Sequence, residues 1–387
     1  MKGHILAMSM LKVLGQTALY NSYYHLKFPK IMPANFTISI LYTCNSRCKT
    51  CNVWKKRVDN LTVEEYDKIF HSVGHDPYWI TISGGEPFLR ADIDEIAKVV
   101  YQRSSPGILN IPTNGLLTRR IPEKVEAIAR SCPKQELVIN LSLDGVGEEH
   151  DEIRGVKGNF KRSLETWAEL KKLQKGLKNL TLGVHTVISV YNVKRIAEIE
   201  DYLVEHLEPN NFISEIAEER IELATIGTGI TPLAEDYEQA VSHLQQKIRQ
   251  SEFKGVARIS QAFRYRYYNF VKQYMYDKRQ IIPCKAGVAS THIAPDGNVW
   301  GCCIRAESLG NLRDHDYNFP KIWFNQKADA FRRSVKNKEC HCPLANASYT
   351  NMLAHYPTLA AVGTDLLLNR YPKPYTQTKP NGDHEPS

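Results

Sequence analysis

Short apolar strands alternate with helical patterns up to about residue 216, and this alternation leaves few folds open to the chain. The strand-like stretches are Thr37–Thr43, Tyr78–Ser83, Ile108–Pro112, Leu137–Leu143 and Leu180–Val190, with a weaker one near Asn211–Ile216. Helical patterns separate them over Val63–Val73, Ala91–Arg103, Pro122–Ser131, Phe160–Lys175 and Val193–His206. Strands and helices recurring at roughly 30-residue spacing predict βα units and a parallel sheet. Five or six units are too few for a closed eight-stranded barrel. They suit an α/β fold built as an open, partial (βα)6 barrel, with functional groups at the carboxyl ends of the strands.

The rest of the 387 residues divides by composition. Residues 1–33 read as a basic helical segment, 34–230 as the barrel and 231–280 as a charged, Tyr-rich helical linker. Residues 281–345 carry Gly, Pro and paired cysteines and read as a small metal-stapled domain. Residues 346–387 read as one or two amphipathic helices and a tail, Tyr371–Ser387, too polar to pack. No apolar run of membrane-spanning length occurs, and the N-terminus lacks a clean signal peptide, so a cytoplasmic, reducing location is expected. Eight of nine cysteines fall in two clusters, which points to metal ligation; Cys132, outside both, is expected to be a buried small hydrophobe. The net charge is +8, yet no acidic residue precedes Asp59, while nine Lys and Arg do. That basic start suits an anionic substrate, an acidic partner or a membrane surface, and equally a solvated face. The bias is too small for nucleic-acid binding to be expected.

The first cysteine cluster follows the first strand at once. Cys44, Cys48 and Cys51 stand in one C-x3-C-x2-C loop. Three thiolates so close fit three corners of a cubane iron–sulfur cluster and leave one iron without a protein ligand. Zinc with a fourth ligand from elsewhere is the alternative, although zinc sites favour C-x2-C pairs. Polar loops end the next strands at the same rim. Ser83-Gly84-Gly85-Glu86-Pro87 has two glycines that allow close backbone approach, with Glu86 able to fix the loop. Asn114 follows the third strand. Asn140, Ser142 and Asp144 alternate onto one face of the fourth, and Arg154 follows in His150-Asp151-Glu152-Ile153-Arg154-Gly155.

With these motifs in register, the segment from about Asn35 to Pro209 resembles the radical S-adenosylmethionine (SAM) superfamily. The resemblance implies a [4Fe–4S] cluster on Cys44, Cys48 and Cys51. It also implies contact of Gly84, Gly85 and Glu86 with the methionyl amine of SAM, and contacts from Ser142 and Arg154; Asn114 joins these as a rim candidate. The family often has an aromatic residue just before the third cysteine; here Thr50 stands there, with Val53 or Trp54 available to compensate.

Cys284, Gly297 and Cys302 follow the C-x9–15-G-x4-C spacing that opens the SPASM and Twitch auxiliary-cluster domains. Ala294-Pro295-Asp296-Gly297-Asn298-Val299 between them reads as a hairpin turn. The resemblance implies one auxiliary [4Fe–4S] cluster on Cys284, Cys302, Cys340 and Cys342, serving electron transfer or structure. Cys303 is an alternative to Cys302, and zinc is an alternative to iron–sulfur.

The family's chemistry implies an external one-electron reductant of flavodoxin or ferredoxin type. Reductive cleavage of SAM would give a 5′-deoxyadenosyl radical that removes hydrogen from an unidentified substrate, with His185 and Ser189 lining the cavity. A small polar substrate such as a sugar or an antibiotic precursor is favoured, and a peptide is the alternative. A lipid-linked substrate would use weak membrane-surface contact through the N-terminus, Met352-Leu353-Ala354 and Leu366-Leu367-Leu368. The non-enzyme alternative is a zinc-binding adaptor.

Overall fold

The computed structural model describes residues 15–252, 255–368 and 371. A helix over 15–26 (α1) leads into β1 (Asn35–Ser39). The βα units follow: α2 (Val63–Val73), β2 (Trp79–Ser83), α3 (Ile93–Ser104), β3 (Ile108–Thr113), α4 (Arg120–Ser131) and β4 (Glu136–Ser142). Next come the short α5 (Glu148–Arg154), α6 (Asn159–Gly176), β5 (Leu180–Ile188), α7 (Ile196–Leu207) and β6 (Asn211–Ile216). α5 is a helix that periodicity did not signal, because seven residues are too few to display a pattern.

The six strands pair in parallel in sequence order, as the alternation predicts for a partial barrel. β4 is buried through its middle on both faces, as a parallel strand covered by helices must be. Helix periodicity places the outer layer: α2 buries Tyr66, Ile69, Phe70 and Val73, at helical spacing. Thr62 starts that helix through a capping box with Glu65.

The tyrosine-rich stretch forms α8 (Ala234–Gln250) and α9 (Gly255–Asp277), which pack together, and Tyr265, Tyr267, Tyr268 and Val271 of α9 are buried. Then β7 (Ser290–Ile293), β8 (Asn298–Trp300) and β9 (Ser308–Asn311) extend the same sheet. β7 lies parallel to β1, and the β7–β8 hairpin turns on Gly297, at φ +87°. The cysteine-rich segment is therefore continuous with the barrel's first strand. α10 (Phe319–Trp323), α11 (Gln326–Lys336), α12 (Ala345–Leu353) and α13 (Tyr356–Leu368) complete the chain.

Met352 and Ala354 are buried, whereas Leu367 and Leu368 are exposed. Among the described residues no helix is long and apolar enough to cross a membrane. The first fourteen residues of the 33-residue basic N-terminal segment and the tail beyond Tyr371 lie outside the described residues. Cys132 is fully buried in the core.

Candidate active site

Beyond Ser39 the first strand peels away from the sheet and becomes the cysteine loop. Its backbone stays tied to the glycine loop after β2: Gly85 N–H donates to Leu41 O (2.8 Å) and Glu86 N–H to Thr43 O (3.0 Å). A Cβ on Gly84 would collide with the Leu41 carbonyl, and one on Gly85 with that of Thr43. Both glycines are therefore required for the approach that aims the loop. On its other side the loop caps α5. Arg47 N–H donates to Arg154 O (3.0 Å) and Lys49 N–H to Ile153 O (2.8 Å), so the helix's last carbonyls are satisfied. Gly155 (φ +65°) abuts the Arg47 carbonyl and leaves no room for a side chain.

Cys44, Cys48 and Cys51 open together onto a cavity of about 230 Å³ at the carboxyl ends of the strands; no further cysteine lines it. Burial pushes the Cys44 thiol up to about 11 and Cys51 up to about 12, so thiolates there call for a positively charged partner. Three thiols of one loop facing a shared cavity fit a three-ligand iron–sulfur cluster. Donors already point at them: Ser46 N–H to Cys44 Sγ at 3.4 Å, Asn114 Nδ2 to the same sulfur at 3.9 Å, and Arg154 Nη1 to Cys48 Sγ at 3.8 Å. Hydrogen bonds to sulfur are one means of tuning a cluster.

Gly84, Gly85, Glu86, Asn114, Ser142 and Arg154 all line this cavity, as do Thr50 and Trp54. The Glu86 carboxylate is engaged by the chain: it accepts from Phe88 N–H (3.2 Å), Thr113 Oγ1 (2.9 Å) and Asn114 N–H (2.8 Å). It thereby locks the β2 loop to the β3 loop. Burial pushes its carboxyl up to about 7, against those three donors. Asn114 Nδ2 also donates to Asn45 Oδ1 (2.7 Å) and Ser46 Oγ (3.1 Å), which ties the β3 loop to the cysteine loop.

Asp144 is the anchor of Arg154. Its Oδ2 lies 2.8 Å from Arg154 Nε, and its Oδ1 accepts from Val187 N–H (2.8 Å). His150 supports the same corner. Its Nδ1 accepts from Asp144 N–H (3.2 Å), which leaves the proton on Nε2, facing Asn159 Oδ1 at 3.3 Å. Burial lowers its pKa to about 4. Of the β4 polar set, Ser142 and Asp144 reach the cavity, while Asn140 donates to Asn110 Oδ1 (2.7 Å). His185 lines the cavity; Ser189 instead shapes the following turn with Asn192.

The wall opposite these loops comes from the end of β6 and the segment after it: Glu215, Glu218, Arg220 and Glu222. His185 Nε2 sits 3.6 Å from Glu215. Sequence reading passed over this group, although Glu215-Ile-Ala-Glu218-Glu-Arg220-Ile-Glu222 places charge at the same rim as the other motifs. Behind the wall, Glu222, His292 and Cys303 bring ligand-type atoms within 4.8 Å of one another. Arg220 lies 3.5 Å from Glu222 and 3.6 Å from Cys303 Sγ, so a guanidinium already supplies the positive charge there.

Cys284, Cys302, Cys340 and Cys342 line a second, small cavity of about 30 Å³, with Leu344 shared between the two. Cys303, the next residue, turns to Arg220 instead. Burial pushes the Cys302 thiol up to about 12, and Arg305 Nη1 lies 4.0 Å from Cys340 Sγ. Four thiols around one enclosed space fit a fully ligated cluster.

The family model of the radical SAM superfamily matches residues 38–203, and that of an iron–sulfur cluster-binding domain, SPASM, matches residues 284–343. The chain belongs to the radical SAM superfamily. It is an enzyme that uses SAM and [4Fe–4S] clusters, one of them auxiliary, and the adaptor reading falls. It is 25% identical over 319 residues to the sporulation killing factor maturation protein SkfB of Bacillus subtilis, covering 80% of this chain and 69% of that one. It is 29% identical over 172 residues to the Fe-coproporphyrin III synthase of Methanosarcina barkeri, covering 43% of this chain and 40% of that relative's length. Streptococcus suis SuiB bound to S-adenosylmethionine shares the fold, with a TM-score of 0.58 and 16% identity over 78% of this radical SAM chain and 68% of SuiB.

Proposed function

We propose that Cys44, Cys48 and Cys51 hold the SAM-binding cluster, that the loops after β1–β4 hold SAM, and that a polar small molecule binds against the β5–β6 wall and loses a hydrogen atom to the 5′-deoxyadenosyl radical. The cluster, when bound, supplies the electron that breaks the sulfonium–C5′ bond. The chain does the rest. The glycine loop offers backbone to the methionyl end of SAM, Ser142 and Arg154 offer hydrogen bonds, and the buried barrel end keeps water away. Cys284, Cys302, Cys340 and Cys342 hold the auxiliary cluster in this reading.

One observation carries the substrate part. Glu218 Oε1 is sealed from solvent, lines the cavity and has no hydrogen-bond partner among the described residues, while His185 Nε2 and Arg220 Nε beside it reach carboxylates only at ion-pair distances, 3.6 Å to Glu215 and 3.5 Å to Glu222. Buried polar groups are nearly always paired, so a polar ligand completes Glu218, next to two loosely held donors. Burial pushes the Glu218 carboxyl up to about 8, against the pull of Arg220, so near neutral pH it both donates and accepts. Such a wall suits hydroxyl- or amine-bearing substrates. The second reading is a peptide substrate, favoured by the alignment with a maturation protein.

Anaerobically reconstituted protein is expected to form 5′-deoxyadenosine from SAM and dithionite. Small-molecule and peptide fractions of a deuterated cell extract then separate the two readings. Deuterium enters 5′-deoxyadenosine with the small-molecule fraction if the first holds, and with the peptide fraction if the second does. Intact SAM under strong reduction removes both.

A further inference from the structure

We propose that the basic run between Arg47 and Arg57 is a docking face for an acidic one-electron carrier, the reductant that this enzyme class requires. The inference rests on the cluster reading above. The residues that carry the three thiols also carry Arg47, Lys49, Lys55, Lys56 and Arg57, with no acidic residue until Asp59. The side chains of Arg47, Lys49, Lys55 and Arg57 are exposed. Lys56 is half-buried, its Nζ donating to the Ile221 and Glu222 carbonyls (3.1 and 2.6 Å). Arg47 donates to the Cys44 and Ser46 carbonyls (both 2.8 Å) and Arg57 to those of Trp54 and Lys56 (2.7 and 2.8 Å), and all these contacts fix the cations without neutralising them.

The cations are organised on aromatic rings. The Arg47 guanidinium lies 4.3 Å from the centre of the Trp54 ring and Lys55 Nζ lies 5.3 Å from it, while Lys49 Nζ lies 5.2 Å from the ring of Tyr191. Trp54 itself lines the cavity onto which Cys44, Cys48 and Cys51 open, so the patch continues directly into the cluster site. Tyr191, Ile221 and Val58 add exposed apolar surface beside the charges. Carboxylates of adjoining elements are already paired: Glu149 with Arg195 and Asp59 with Arg313. Glu148 and Glu152, exposed on α5, bound the patch on that side.

An anionic substrate is the competing reason for such a rim. The cavity behind it argues otherwise, because the ionised Glu215 and Glu222 of its far wall outnumber Arg220 there and disfavour an anion drawn inward. A partner that stays outside feels the cations alone. Long-range attraction of this kind speeds encounter and weakens with salt. On docking the carrier gives up one electron and the cluster takes it, with no bond or proton exchanged.

The test compares the loaded full chain with the Lys55→Glu/Arg57→Glu variant and with Lys175→Glu/Lys178→Glu, which makes the same charge change at the amino end of β5. An acidic flavodoxin serves as probe, and calorimetry at low ionic strength reads binding without turnover. The proposal expects the first variant to bind at least about tenfold more weakly, and the second to bind like wild type. Wild-type affinity should fall with added salt far more steeply than that of the first variant. 5′-Deoxyadenosine formation should drop with flavodoxin as electron source and stay at the wild-type rate with dithionite. Equal flavodoxin binding by all three proteins overturns the docking face. So does an equal loss with dithionite, which would place these residues in cluster or SAM binding. Wild-type protein that leaves SAM intact with dithionite sinks the cluster reading instead.

Discussion

Arg154 Nε stands 2.8 Å from Asp144 Oδ2 while Nη1 of the same guanidinium reaches toward Cys48 Sγ at 3.8 Å, so one buried cation joins the fourth strand to the cysteine loop. Removing one member of a buried pair leaves the other charge uncompensated, at a cost of about 3–5 kcal/mol. Arg154→Met is therefore expected to lower the melting temperature of the metal-free protein sharply. Asp144→Asn combined with Arg154→Met should recover a large part of the loss. A double variant no more stable than the single one would contradict this account of the pair.

His150 makes the same corner acid-sensitive. Its folded pKa is about 4, below the ordinary 6.5, because burial disfavours the imidazolium. The neutral form stabilises the fold at and above pH 6.5. As pH falls from 6.5 toward 4 the unfolded chain takes up a proton that the folded chain refuses, and roughly 3 kcal/mol is lost. Urea denaturation across that range should show a slope that His150→Gln removes.

Glu65 closes the Thr62 capping box and also holds the C-terminal half. It accepts from Arg313 Nε (2.7 Å) and from the Tyr317 hydroxyl (3.0 Å). The Arg313 hydrogen bond is the main reason its carboxyl falls to about 2. That contribution is present above the ordinary carboxylate pKa and disappears as pH drops toward 2. Glu65→Gln should cost about 1–2 kcal/mol at neutral pH, the exposed side of the pair being screened. Salt titration of the stability difference checks the electrostatic share, and a difference flat in both pH and salt would leave only the cap.

Gly85→Ala tests the loop approach. The added methyl meets the Thr43 carbonyl, next to Cys44, and the cysteine loop must shift. A strained backbone of this kind costs about 2–3 kcal/mol. Iron content after reconstitution should fall more steeply than in Gly176→Ala, where nothing lies near the added carbon. Full iron loading of Gly85→Ala would show that the loop has slack.

The alternation of strands and helices made the parallel sheet legible, because apolar period and spacing are local properties. The glycine loop was legible as a close approach, since only glycine serves there. Glu86 was legible as a loop-fixing residue; that its partners are Thr113 and Asn114 is a matter of how adjacent βα loops stack. The Asp144–Arg154 pair and the Glu215–Glu222 wall were less visible, because their meaning depends on which side of the barrel a loop crosses. Alternation identifies strands but says nothing about a later segment joining the first one, so β7 beside β1 had no signal in sequence.

That pairing sets an order of assembly. β1 spans residues 35–39 and its second neighbour arrives only at residues 290–293, some two hundred and fifty positions later. Contacts between segments so far apart are entropically slow to form. On the ribosome the thiol-bearing loop therefore emerges early, and its strand waits for three quarters of the polypeptide before both edges are covered. Loading of metal before release would meet a half-framed scaffold, whereas loading after release meets the finished one.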